Sequence, residues 1–275
     1  MSGLRRWGGY LAFVVLFSVA CGLLSWWQWA RRAEAIENVQ RIEANYDADP
    51  VPLTELLPDP DAWDPAVEWR PVTVEGRYLA DETLLVRSRP FQGQPGFEVL
   101  VPLQLDDGRV FLVDRGWMVA GDDSLDPADP VPAPPAGEVT AVARLKPEEP
   151  QIPGRSAPPG QLATIHLSDA YAQLAETGWS AAYGLLDSED PAAATRPTPA
   201  LRPEEDEGPH LSYALQWILF ALIAITGLVW AIRRERMLRR QAEGEEPPAP
   251  RRRTRPTDAD IEDALLDAQR QPAAN

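Results

Sequence analysis

The chain has 275 residues, 29 prolines and a formal net charge of -16. It lacks the basic stripe with interleaved aromatics that a phosphate backbone requires, which argues against a nucleic-acid partner. Cys21 is the single cysteine, so an internal disulfide framework and every CxxC-type site are excluded, and with only His166 and His210 besides, the composition argues against an all-protein metal cage. No GxSxG elbow, Walker loop, dinucleotide fingerprint or HExxH occurs, so nothing marks an enzyme active site.

The first element in chain order is an apolar run, YLAFVVLFSVACGLLSWWQW at residues 10–29, free of charge and proline. It matches the roughly 20 residues that cross a bilayer core. Arg5 and Arg6 ahead of it also suit a secretory signal, and SVAC at residues 18–21 hints at a lipoprotein cleavage site. Two features favour a retained span: the run passes Cys21 to reach Trp26, Trp27 and Trp29, spaced like an interfacial belt, and Ser18 stands where a lipobox has an aliphatic residue. The second apolar run opens HLSYALQWILFALIAITGLVW at residues 210–230. Arg233, Arg234, Arg236, Arg239 and Arg240 crowd its far end, and with Arg5 and Arg6 they place both termini in the cytoplasm and the middle of the chain outside. The expected organisation is a cytoplasmic N-terminus (1–9), a first transmembrane helix (10–30), an extracytoplasmic domain (31–209), a second transmembrane helix (210–232) and a disordered cytoplasmic tail (233–275). Arg31 and Arg32 break the charge rule at the outer end of the first span, so they require a partner, a function or a path into the headgroups.

Between the spans the pattern is that of strands. Alternating runs lie at residues 69–78, 83–89, 97–105, 109–117 and 138–145, with shorter ones at 162–167 and 180–186. Asp106-Asp107-Gly108 supplies a hairpin turn between the third and fourth. One helix is predicted at residues 168–177, capped by Ser168 and ended by Gly178. The expected fold is therefore a membrane protein whose two transmembrane α-helices flank an extracytoplasmic α+β domain, with a mainly antiparallel sheet or small barrel. Pro-rich acidic segments at 121–137, 147–161 and 188–209 read as loops, and the polar tail from residue 241 carries only a short amphipathic run at 260–269.

The residues that suggest chemistry gather at the outer membrane face. Gln28 and Gln216 are amides in or near hydrocarbon, where an interhelical hydrogen bond is the expected resolution. His210 opens the second span, with Tyr213, Ala214 and Trp217 at the i+3, i+4 and i+7 positions of one helical face. On these residues alone two readings stand. An interfacial histidine is a common anchor. A neutral imidazole beside an aromatic-lined crevice is also a good iron ligand for a porphyrin, with Arg31 and Arg32 placed to pair with its propionates. His166, in a short strand run, reads as an ordinary surface or core residue.

Five sequence blocks carry a resemblance. They are Trp27-Gln28 with Arg31 and Arg32; Trp69, Arg70, Val72 and Gly76; Arg87, Arg89, Gly96, Phe97, Pro102 and Leu103; Val113, Arg115, Gly116 and Trp117; and His210, Leu211, Tyr213, Ala214 and Trp217. In this order they resemble the Surfeit locus family of cytochrome c oxidase assembly proteins. The chain departs from the pattern at Leu24-Ser25, where the family has Leu-Gly, and in having Glu34 but no lysine after the arginines.

The resemblance implies a non-enzymatic assembly factor in the cell membrane that binds haem a transiently and assists its insertion into the catalytic subunit. His210 would be the iron ligand, and Arg31, Arg32, Tyr213 and Trp217 would line the cofactor site. Subunit I of the oxidase and proteins of haem a synthesis or assembly are the implied partners. The alternative is a membrane-anchored scaffold that stabilises oxidase subunits without touching cofactor. For Arg115-Gly116-Trp117 the residues favour a structural role: an arginine paired inside the sheet, a glycine turn and a packed tryptophan.

Overall fold

The computed structural model describes residues 2–122, 126–174 and 176–242, with side chains from residue 7 onward. Two compact units divide the chain: one joins the first helix up to Trp26 with the last helix from Tyr213, and the other is Trp27–Ser212.

The first helix, α1, runs without a break over Ser2–Asn45, and the last, α4, over His210–Ala242. Both are long and apolar enough to cross a membrane. No proline interrupts either, so each backbone ladder closes within its own helix. Where the two helices pair, Ser25 Oγ donates to the Ala214 carbonyl at 3.1 Å, and Cys21, Ser25 and Ala214 are buried. Small side chains here let the backbones approach, as membrane helices require in the absence of a hydrophobic drive. The apolar residues facing outward, among them Phe13, Leu16, Leu222 and Ile223, remain exposed to the surroundings, as lipid contact demands. The far end corrects the sequence expectation: residues 233–242 continue α4, with Arg239 bonded to Glu235 one turn earlier, and are not part of a disordered tail. The predicted amphipathic run at 260–269 lies outside the described residues.

In the other unit α1 continues through residues 30–45, rich in Ala and Glu, and docks on the β domain. Ile42 is fully buried there; Asn45 donates to the carbonyls of Ala66 and Glu68 at 2.7 and 2.8 Å, and Arg41 pairs with Glu68. The chain then forms β1 (Val51–Pro52), α2 (Leu53–Leu56), β2 (Pro71–Tyr78), β3 (Leu84–Val86), β4 (Gly96–Gln104), β5 (Val110–Val119), β6 (Glu138–Pro147), β7 (Gln161–Leu162), α3 (Leu167–Leu174) and β8 (Ala182–Asp190). The pairing order β2-β6-β8-β5-β4 returns to β2 through Arg77 opposite Gln104 and Tyr78 opposite Leu103, which closes a five-stranded barrel. Most ladders are antiparallel, whereas β5–β8, β1–β2 and β3–β7 are parallel. The closure depends on Gly76, because a Cβ at that position would run into the Gln104 carbonyl.

Barrel filling follows strand alternation. Val99, Val101 and Leu103 of β4 and Phe111 and Val113 of β5 point into the barrel with Val72, Val74 and Trp179, while α2 packs Leu53 on the same core. Their neighbours Leu100, Val110 and Leu112 face the other way and are covered by Ile165, Leu167, Ala170 and Leu174 of α3 and the loop before it. With both faces buried, β4 and β5 read as near-continuous apolar runs. Several elements differ from expectation in extent. β3 covers only Leu84–Val86 of the run at 83–89, and α3 is Leu167–Leu174 against the predicted 168–177. Of the run at 162–167 only Leu162 is strand, since the segment after it turns to cover β4 and β5; and β8 extends to Asp190, taking residues 188–190 out of the predicted loop by pairing them with residues 140–142 of β6.

Candidate functional site

His210 is the first residue of α4, preceded by Gly208 in the left-handed region (φ 69°) and Pro209. Its Nδ1 lies 2.9 Å from Oε1 of Gln28 on α1, so the predicted interhelical amide bond is made by Gln28, and its partner is the histidine. Gln216, by contrast, is exposed, and its side chain has no hydrogen-bond partner among the described residues. Gln28 holds the ring at Nδ1, and Nε2 has no hydrogen-bond partner among the described residues, the arrangement in which a neighbour fixes one ring nitrogen and leaves the other accessible. Gly208 is called for by its backbone, since φ 69° is a region that residues with a Cβ rarely adopt; a Cβ there would only touch the ring edge, 3.4 Å from Cδ2 and Nε2. The residues present thus fit an iron ligand in two respects: the ring is held at Nδ1, and Nε2 has no hydrogen-bond partner among the described residues.

The two arginines that break the charge rule are not free. Arg31 Nη1 meets Glu34 Oε2 at 2.8 Å, one helical turn on, and Arg32 Nη2 meets Glu207 Oε2 at 2.7 Å. The second pair ties the segment just before α4 to α1, three residues from His210. Neither pair is buried, so each is worth only ~0–1 kcal/mol and can exchange for another carboxylate. Along α4 the residues after His210 separate: Ala214 is buried by the helix contact at Ser25, Tyr213 is 46% exposed, and Trp217 meets Phe220 edge-on with centroids 5.8 Å apart. Sequence reasoning missed Glu207 and Gly208. Both lie in the acidic stretch 204–208, which by composition is linker; only the glycine immediately ahead of Pro209-His210 was a signal.

Elsewhere the β domain buries charge for structural ends. Arg115 and Glu189 form a 2.8 Å pair with side-chain exposures of 0% and 3%; Arg115 also donates to the Pro132 carbonyl at 2.9 Å and lies 5.6 Å from the Tyr78 ring. Burial, reinforced by the Glu189 charge, pushes the Tyr78 hydroxyl far above its ordinary range. Gly116 (φ 129°) lies where a Cβ would meet Thr198, and Trp117 donates its indole N–H to the Arg89 carbonyl while stacking on Phe91 at 5.1 Å. The motif therefore has the structural role its residues suggested. A second cluster joins Arg89 to Glu98 and Glu149, with Asp114 nearby. Burial first, then the Glu98 charge, holds the Asp114 carboxyl well above the usual range, although the Gly116 amide donates to it at 2.9 Å. His166 is half-buried beside Asp169 and Glu148 at the start of α3, an ordinary packing residue.

The family model of the SURF1 family matches residues 15–222, from inside the first apolar helix to inside the last. The chain belongs to the SURF1 family. Uncharacterized SURF1-like proteins of Mycobacterium tuberculosis and Mycobacterium bovis are 35% identical to it over 260 residues, covering 87% of this chain and 90% of theirs. A SURF1-like protein of Dictyostelium discoideum is 27% identical over 122 residues, 40% of this chain and 42% of its own. The family is one of cytochrome c oxidase assembly factors and not of catalysts, and the two apolar helices make this member membrane-anchored.

Proposed function

We propose that this protein serves the assembly of a haem-copper cytochrome c oxidase by holding haem a and handing it to the catalytic subunit, with His210 as the iron ligand. The observation that carries the reading is the Gln28–His210 contact, which fixes the ring at Nδ1 and leaves Nε2 without a hydrogen-bond partner among the described residues. Bound haem a supplies an iron with a coordination position that an imidazole can fill. The chain's own residues do the rest. Gln28 orients the donor, Arg31 and Arg32 offer guanidinium groups whose present carboxylate partners are exchangeable, and Tyr213 and Trp217 present aromatic surface on the following two turns. The arginine distribution supports cytoplasmic termini and an extracytoplasmic β domain, which would meet subunit I and the haem a donor on that side of the cell membrane.

The engagement of both arginines by Glu34 and Glu207 favours a second reading, a scaffold that stabilises oxidase subunits without cofactor. One strain set separates the two. Membranes lacking the protein should lose oxidase activity and haem a content, the wild-type protein should restore both, and His210→Ala should restore neither. Full restoration by His210→Ala supports the scaffold. Normal activity and haem a in the deletion strain contradicts both readings.

A further inference from the structure

The β domain holds an anion-sized pocket well supplied with positive charge. Residues 33–208 carry 12 Lys plus Arg against 33 Asp plus Glu, so a basic side chain there has carboxylates in excess to pair with. Arg41, Arg77, Arg89, Arg109, Arg115, Arg144, Lys146 and Arg202 all do so. Arg196 donates to the Asp187 carbonyl at 3.0 Å, and among the described residues the guanidinium groups of Arg70, Arg87 and Arg155 have neither a carboxylate nor a hydrogen-bond partner. Of these three, Arg87 and Arg155 line one pocket of about 240 Å³ with Ser88, Ser156 and Ala163, and no acidic residue joins them.

Backbone structure brings the two cations together. Parallel pairing of β3 with β7 sets Arg87 beside residue 162, its amide donating to the Leu162 carbonyl at 2.9 Å. The turn that closes from the Arg155 amide to the Ile152 carbonyl at 3.1 Å delivers Arg155 and Ser156. Ser88 holds a left-handed backbone (φ 58°), a conformation that a residue with a Cβ adopts only when its surroundings impose it.

We infer that this pocket binds a phosphate group, as the free ion or as the exposed phosphomonoester of a lipid headgroup. Two guanidinium forks and two hydroxyls offer more donors than one carboxylate has lone pairs for, and they match the several oxygens and near-double charge of a phosphomonoester. At about 30 Å³ per water, the pocket has room for roughly eight waters, enough for a phosphate with part of its shell. The domain's acidic surplus opposes the approach of anions, but beyond the ~8 Å screening length of physiological salt that opposition fades.

The test uses the intact protein in nanodiscs, wild type beside the double variant Arg87→Gln/Arg155→Gln, with Arg77→Gln, an exposed arginine paired to Glu138, as the control. The first arm titrates inorganic phosphate and reads the arginine Nε–H resonances. The second compares discs of phosphatidylcholine with discs containing phosphatidic acid. Because neither target side chain has an internal partner, thermal unfolding of the double variant should match the wild type. Phosphate binding that weakens at least roughly tenfold in the double variant and is unchanged in Arg77→Gln supports the site and assigns it to a soluble phosphate. A response to phosphatidic acid alone, lost in the double variant, assigns it to a headgroup. No response in either arm, or one equal in all three proteins, overturns the inference.

Discussion

Replacing Arg115 by methionine removes one half of the most deeply buried ion pair in the β domain. The variant loses the 2.8 Å bond to Glu189, the 2.9 Å bond to the Pro132 carbonyl and the weak attraction of the Tyr78 ring at 5.6 Å, in a place where Glu189 has no water to turn to. A charge-assisted hydrogen bond contributes about 1.5–3 kcal/mol, and breaking a buried pair from one side costs about 3–5 kcal/mol because the remaining charge is stranded. The expected loss is therefore about 3–5 kcal/mol. Adding Glu189→Leu removes the stranded charge and should return at least about 2 kcal/mol, the Pro132 carbonyl remaining unpaired at a cost of about 1–3 kcal/mol. Urea unfolding in detergent, followed by tryptophan fluorescence, reads this directly, since Trp179 is fully buried in the barrel. With slopes of about 1–3 kcal/mol per molar urea, the single variant's midpoint should fall by roughly 1 M or more. A loss below about 1 kcal/mol, or a double variant no more stable than the single, would refute the reasoning about the buried pair.

Three further outcomes are expected. The folded Asp114 carboxyl titrates above its unfolded value of about 3.9, so the folded state binds the extra proton; stability falls as pH rises from about 4 toward the folded value and is level beyond it. Asp114→Asn keeps an acceptor for the Gly116 amide and should flatten that slope and raise stability at pH 7, and an unchanged pH profile of the urea midpoint would contradict this assignment. Gly116→Ala places a Cβ against Thr198 in a backbone region closed to L-residues, so a loss of at least about 2 kcal/mol is expected, and a neutral result in the same assay would contradict the close approach. Gln28→Leu should leave the unfolding free energy within about 0.5 kcal/mol of wild type, because the site is half-exposed, yet lower haem a affinity roughly 10- to 100-fold, the usual consequence of losing the group that orients a metal-binding histidine. Undiminished affinity would show that Gln28 does not orient the ring.

Much of this fold is legible in the sequence because strand period and helix length are local properties. Residues 97–105 and 109–117 announce β4 and β5, and Asp106-Asp107-Gly108 announces their hairpin. What is not legible depends on contacts between distant positions. Barrel closure requires residues 77–78 to meet 103–104, a contact only Gly76 hints at. The strand at 162–167 fails after Leu162 because burial against β4 and β5 outweighs its local alternation. At the candidate site, His210 and Gln28 are conspicuous as polar residues flanking apolar runs, and their pairing follows from the cost of an unpaired amide near hydrocarbon. Arg32 finds Glu207 across 175 residues of chain, and no spacing rule selects that carboxylate from the four acids at 204–207. The helical continuation to Ala242 was hidden because an arginine-rich flank looks the same whether it is helix or coil.

The measurement that bears most directly on the account is the absorption spectrum of the protein purified from cells that make haem a, recorded beside His210→Ala. The account predicts a bound, histidine-ligated haem spectrum in the wild type that is lost or shifted in the variant. An identical spectrum in both, or no haem in either, would contradict His210 as the iron ligand.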